Sequence, residues 1–268
     1  MQKIRNLRVY YIGALVLTLT ATLLRALALT LAFDRHSSYF KTDTPLPVLS
    51  GVLLALSVVF ILLFPLLLRG RVPTSRAPHG RLGQISHALS ALLCFTVFIS
   101  TCTVRGSVSL PTLLWLVGIL SLLAATVYFL SQTPLCPMGG TGEAVFGSLA
   151  IVALACMIAV TYFDVAIPMN TPVKVHLHLA LLAAMLFLLY ELRDAVGAPL
   201  PRMRVAFTAL LFFLAVTVGA SDLIAALTGY ARGFLYLSHD LLLLGLGLCA
   251  AARGITDLKQ TERNTPQL

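Results

Sequence analysis

Five ionisable side chains stand inside stretches otherwise too apolar to hold a charge: Arg25, His178, Asp222, His239 and Asp240. A charge at membrane depth is costly, so such a residue usually pairs with an opposite charge or serves a function. Arg25 has two carboxylates of this kind to pair with, Asp222 and Asp240. The same groups offer chemistry. Asp222, Asp240 and His239 can act as acid or base, and all five are candidates for binding a small ligand. Counted from the middle of each apolar run at about 1.5 Å per residue, Arg25 lies roughly 6 Å, His178 about 8 Å, Asp222 about 9 Å and His239 with Asp240 about 5–7 Å towards the same side. Five groups from four segments thus share one layer. Snorkelling would carry Arg25 over about 12 Å, long for its side chain. The structural alternatives are a pair that only fixes helix packing and histidines that are satisfied core residues.

Other chemistry finds less support. His176 and His178 are two residues apart, so on a helix they diverge and cannot chelate one ion. His239 and Asp240 are adjacent and diverge as well. There is no HExxH, and the five cysteines (94, 102, 136, 156 and 249) form no CxxC, so no metal site is expected. Cysteine inside an apolar run behaves as a small apolar residue. The "MGGTGEA" stretch at Met138 lacks a Walker lysine and reads as a turn before a helix, with Glu143 favoured by the helix dipole. No GxSxG occurs, and no apolar span carries a lysine for a Schiff base. No cofactor is expected.

The elements that must position these residues follow from composition. Of 268 residues, 59% are hydrophobic and only 11% charged, against roughly a quarter charged in soluble domains. The apolar residues fall in blocks at 9–33, 46–68, 84–104, 109–131, 143–163, 174–192, 204–228 and 234–252. Each approaches the ~20 residues that a helix needs to cross a bilayer. None alternates with period two, which excludes a barrel. The fold class is therefore an all-α integral membrane protein, a bundle of about eight transmembrane helices in one domain over 1–252. The remainder, 253–268, reads as a polar, disordered cytoplasmic tail. The first block, from Val9 to Phe33, is too long for a signal peptide and reads as an uncleaved span. Pro111 opens the fourth block, and Pro65 is expected to kink the second helix.

Orientation comes from the basic residues. Thirteen lie on one side of the spans, in the N-terminal segment, the loop Arg69–Arg81, the stretch Arg193–Arg204 and the tail; five lie on the other, Arg35, Lys41, Arg105, Lys174 and Arg232. This bias places both termini in the cytoplasm. It also accounts for the net charge of +9 without nucleic acid, for which no aromatic-studded basic surface is visible. The loop from Arg69 to Arg81 should lie near anionic headgroups. The polar run "YFDVAIPMNTPVKVHLHL", from Tyr162 to Leu179, becomes the outer turn between spans five and six, where Pro168 and Pro172 stop one helix and start the next.

A duplication is a further reading. The outer turns at Phe33-Asp34 and Phe163-Asp164 both lead to a Pro-Val pair at the next span, and "ALSALLCF" at Ala88 resembles "AFTALLFF" at Ala206. Halves 1–131 and 132–252 would be parallel four-helix repeats, an arrangement that places transporter sites at the repeat interface. The expected function is a multi-pass plasma-membrane protein, bacterial in character, with an outward-facing polar pocket for small-molecule or ion binding, transport or sensing. Alternatives are an intramembrane enzyme using Asp or His, and a scaffold subunit of a membrane complex. The expected partners are the lipid bilayer, a small ligand or a membrane complex. In a chain freed of its own cysteines, a cysteine placed at Thr42 or Asn170 should react with an impermeant thiol reagent added outside intact cells. Labelling of either position only after permeabilisation would reverse the orientation.

Overall fold

The computed structural model describes residues 2–34, 37–67, 80–103, 112–165, 167, 168, 170–229 and 233–263, with backbone alone for 2–5. Eight helices dominate: α1 (Gln2–Leu31), α2 (Leu46–Leu67), α3 (Arg81–Thr103), α4 (Thr112–Ser131), α5 (Gly140–Phe163), α6 (Pro172–Ala195), α7 (Pro201–Leu227) and α8 (Phe234–Arg263). All eight are long and apolar enough to cross a membrane. The chain is a multi-pass membrane protein, with lipid as its surrounding solvent. The basic loop over 68–79, Pro111, Arg105 and Arg232 lie outside the described residues.

Between Phe33 and Phe40 the first span ends in a small hairpin rather than in more helix. β1 (Phe33–Asp34) pairs antiparallel with β2 (Tyr39–Phe40). The facing Phe33 and Phe40 rings meet edge to face at 5.4 Å. At the other end of the chain, α8 runs to Arg263. This corrects the expectation of a disordered tail: over 253–263 the chain is helical, and Arg253, Asp257 and Thr261, spaced four residues apart, are all buried. Their period is that of one helix face, which composition alone hides.

Among the described residues, α3 to α8 pack as a closed ring in chain order, with α8 returning to α3; α1 lies outside against α7, and α2 packs on both. The exposed ends of α1 and α8 meet through the Arg8–Glu262 ion pair, so both ends of the helical region share one face. We call it the terminal face. The packing does not repeat between the halves. α7 touches α1, α2, α6 and α8, whereas α3, its counterpart under duplication, touches α4 and α8.

Lipid tails are as apolar as leucine, so burial of apolar side chains does not hold these helices together; close packing and polar links do. The α7–α8 seam shows the first. A Cβ at Gly219 would stand 2.8 Å from the Asp240 backbone oxygen, and one at Gly247 would stand 3.0 Å from Val216 Cγ2. At Gly219, where the neighbour is backbone, only glycine permits that approach. The seam of α2 shows the second. Its buried residues are Leu54, Ser57, Ile61 and Pro65, a single stripe. Pro65 has no N–H, which leaves the carbonyl of Ile61 without its helical donor. The Tyr10 hydroxyl donates to that oxygen at 2.9 Å, with its ring stacked on Phe64 at 5.5 Å. α1 is thereby pinned to α2 at the proline.

Tyr10→Phe should therefore cost about 1–3 kcal/mol, the penalty for an orphaned buried acceptor, in thermal unfolding of the detergent-purified protein. In a Pro65→Ala background the helix supplies its own donor, and most of that cost should vanish. An equal loss in both backgrounds would mean that the hydroxyl does not serve the proline.

Candidate functional site

α7 runs away from the terminal face and ends at Leu227, close to where α1 ends and where α6 and α8 begin. Helices of alternating direction thus bring their polar residues to the opposite face together. Arg25 of α1 sits at the centre of one cluster. Its Nη2 donates to Asp222 Oδ1 at 2.8 Å, its Nε donates to Ser221 Oγ at 2.9 Å, and its Nη1 meets His176 Nδ1. Ser221 sends its own proton to Thr217 O at 2.6 Å, so its oxygen is free to accept from Arg25. Arginine carries only donors, so Nδ1 of His176 accepts. Arg25 is 1% exposed and Asp222 fully buried. Of the two carboxylates considered in the sequence, Asp222 accepts from Arg25. Asp240 is buried on the neighbouring helix, with its backbone against Gly219.

A second cluster gathers around the start of α8. The hydroxyl of Tyr236 donates to Asp164 Oδ2 at 2.8 Å, and Lys174 Nζ donates to the Asp164 carbonyl at 2.6 Å. Thr171 caps α6, its hydroxyl accepting from the Lys174 N–H at 3.3 Å. His178 Nε2 lies 2.8 Å from Thr161 Oγ1; that hydroxyl already donates within α5, so the ring donates to it. Ser100 and Ser238 share a hydrogen bond at 2.8 Å between α3 and α8. His239 lies among these groups, near His178 and with its ring 6.5 Å from that of Tyr236. It is fully buried, and among the described residues neither ring nitrogen has a hydrogen-bond partner.

The five candidates therefore occupy one face but not one cluster. Arg25 and Asp222 form one unit, while His178 and His239 belong to the other. Sequence reasoning passed over several members. It read His176 as part of the outer turn, whereas that residue is a partner of Arg25. It counted Lys174 as an outer loop charge and placed no lysine in a span, whereas Lys174 is fully buried in the first turn of α6. The divergence of His176 from His178 does hold, since the two rings go to different partners.

A further ionic layer at the terminal face was not anticipated. Arg204 at the start of α7 pairs with Asp194 of α6, and with Asp257 Oδ1 of α8 at 3.2 Å. Arg253 Nε of α8 donates to Glu191 Oε1 of α6 at 2.8 Å. All five side chains are at most 3% exposed. The sequence reading had counted Arg204 and Arg253 among the loop charges that set orientation. Removing these two from one side and Lys174 from the other leaves the sign of the bias unchanged. The available signal was spacing: Glu191 with Asp194, and Arg253 with Asp257, are three or four apart and continue apolar helix faces. Among the described residues no group of three or more His, Cys, Asp or Glu side chains could hold a metal ion.

Compared with protein-family models, with curated proteins and with solved structures, the chain matches none. The class that the fold defines is a multi-pass membrane protein of eight spans with a buried ionic layer near each face.

Removing one member of the Arg25–Asp222 pair strands a charge in a medium of low dielectric constant. Arg25→Ala should lower stability by about 3–5 kcal/mol. Neutralising Asp222 as well should recover part of that, giving a coupling of about 1–3 kcal/mol in a double-mutant cycle. Simple additivity of the two single effects would refute an energetic pair.

Proposed function

We propose that the protein binds a small polar solute at the face opposite the termini, and that it transports or senses that solute. His239 carries the reading. An imidazole with both nitrogens buried and unpaired is costly. Buried polar groups of this kind ordinarily meet ordered water or a ligand. The surroundings of His239 suit the second. Tyr236 of α8, Lys174 and His178 of α6, and Asp164 just after α5 bring donors and acceptors together, as sites for polar ligands do.

The five sequence candidates then divide by role. Arg25 and Asp222 satisfy each other and hold α1 to α7, which is structural work. His178 and His239 contact the solute, and Asp240 stands beside them on α8. Commitment of Asp222 to Arg25 also argues against its use as a catalytic base. The surplus of basic residues at the terminal face supports a reading with both termini in the cytoplasm and the site outside.

The test uses a cysteine-free chain carrying His239→Cys in right-side-out vesicles. A small cationic methanethiosulfonate reagent added outside should label this cysteine, and millimolar solutes from one chemical class (amino acids, sugars, nucleosides or inorganic anions) should slow the labelling. A cysteine at the lipid-facing Leu248 should stay inert throughout. Absence of reaction at position 239 from either side would mean a dry, purely structural histidine.

A further inference from the structure

A groove runs along the lipid-facing side of the bundle at the terminal face, remote from the site above. α1 and α8 both pack on α7 but barely meet each other. The gap between them is about 300 Å³ in volume, at the lower edge of the range for ligand pockets. Ile12 and Leu15 of α1 form one wall, Ala251 and Ile255 of α8 the other, and Phe212 of α7 lines the floor. Ile12, Leu15 and Ile255 are exposed at its rim, so the groove opens sideways into the bilayer. Hydrocarbon is the only solvent at that position.

The two walls end alike. One turn beyond Ile12 on α1 stands Arg8, which also lines the groove. One turn beyond Ile255 on α8 stands Lys259, which is exposed. Residues four apart share a helix face, so both basic side chains continue the groove towards the membrane surface. Arg8 uses Nε and Nη2 on Glu262 Oε1, which leaves the other edge of its guanidinium for a second acceptor. Tyr11 and Thr208 also line the groove, with their hydroxyl oxygens shielded from its surface. Two basic groups at the mouth and apolar walls beyond match the order of phosphate and acyl chain in one phospholipid.

We propose that this groove is a binding site for a single anionic phospholipid of the leaflet at the terminal face. Its phosphate lies between Arg8 and Lys259, and one chain lies along α7. The basic side chains give the preference for a net negative headgroup, and Glu262 limits it by occupying part of Arg8.

Full-length protein is reconstituted in vesicles of equal phosphatidylglycerol and phosphatidylcholine, extracted in mild detergent, and its retained lipid counted by native mass spectrometry. Wild type should keep one lipid, with phosphatidylglycerol favoured. A Lys or Arg near an anionic surface contributes about five-fold in affinity. Arg8→Gln and Lys259→Gln should each lower the preference by about that factor. Glu262→Gln, which removes an opposing charge, should raise it. Ala251→Phe, which fills the groove, should lose lipid of both kinds while the melting temperature stays near that of wild type. Unchanged preference in Arg8→Gln and Lys259→Gln would overturn the headgroup assignment, and retention by a folded Ala251→Phe would overturn the groove. Should a neutralised variant fail to fold, Glu262→Gln decides: no gain in phosphatidylglycerol there rejects the proposal.

Discussion

Buried ion pairs at the two ends of α7 hold the arrangement together. Arg204, in its first turn, joins Asp194 of α6 and Asp257 of α8. Asp222, near its last turn, joins Arg25 of α1. Both charges have the wrong sign for the helix dipole, which favours anions at the N-terminus and cations at the C-terminus. Local helix energetics therefore did not place them. Their partners on other helices did, and the cost of an uncompensated charge in lipid makes each pairing obligatory. Because α7 touches four other helices, fixing its ends fixes most of the bundle.

Between the two ionic layers the contacts are of a different kind. The middle of the seam between α7 and α8 is built from small residues, with Gly247 against Ala215 and Val216. Hydroxyls along α1 turn back on their own helix, as Thr18 does to the Ala14 carbonyl at 2.7 Å, and so need nothing from a neighbour. The bundle thus pairs charges across helices at both ends and packs closely in between. Specific partner choice resides in the layers, while close approach resides in the seam.

The number of spans was legible in the sequence because apolar length alone decides it, and the Arg25–Asp222 link was legible because a charge within such a run demands a partner. What stayed hidden lay at the span edges. Arg204, Arg253 and Asp257 adjoin polar segments, where the same residues also serve as topology signals, and only the folded neighbours tell a buried pair from a loop charge. Lys174 was hidden for the same reason: it begins α6, and its burial depends on Asp164 folding back from α5. The isolation of His239 could not be read at all, since the absence of partners is a property of packing and leaves no mark in spacing.

The pair that closes the opposite face joins residues 197 apart in sequence. During synthesis α1 enters the membrane with Arg25 long before Asp222 exists. At about 5–20 residues per second that interval is about ten to forty seconds. Throughout it the guanidinium must rely on water, on headgroups or on the insertion machinery. A chain cut short before α7 never acquires its counter-charge. Such a product would carry an unmatched cation in lipid, a mark by which membrane proteases could distinguish unfinished chains from finished ones.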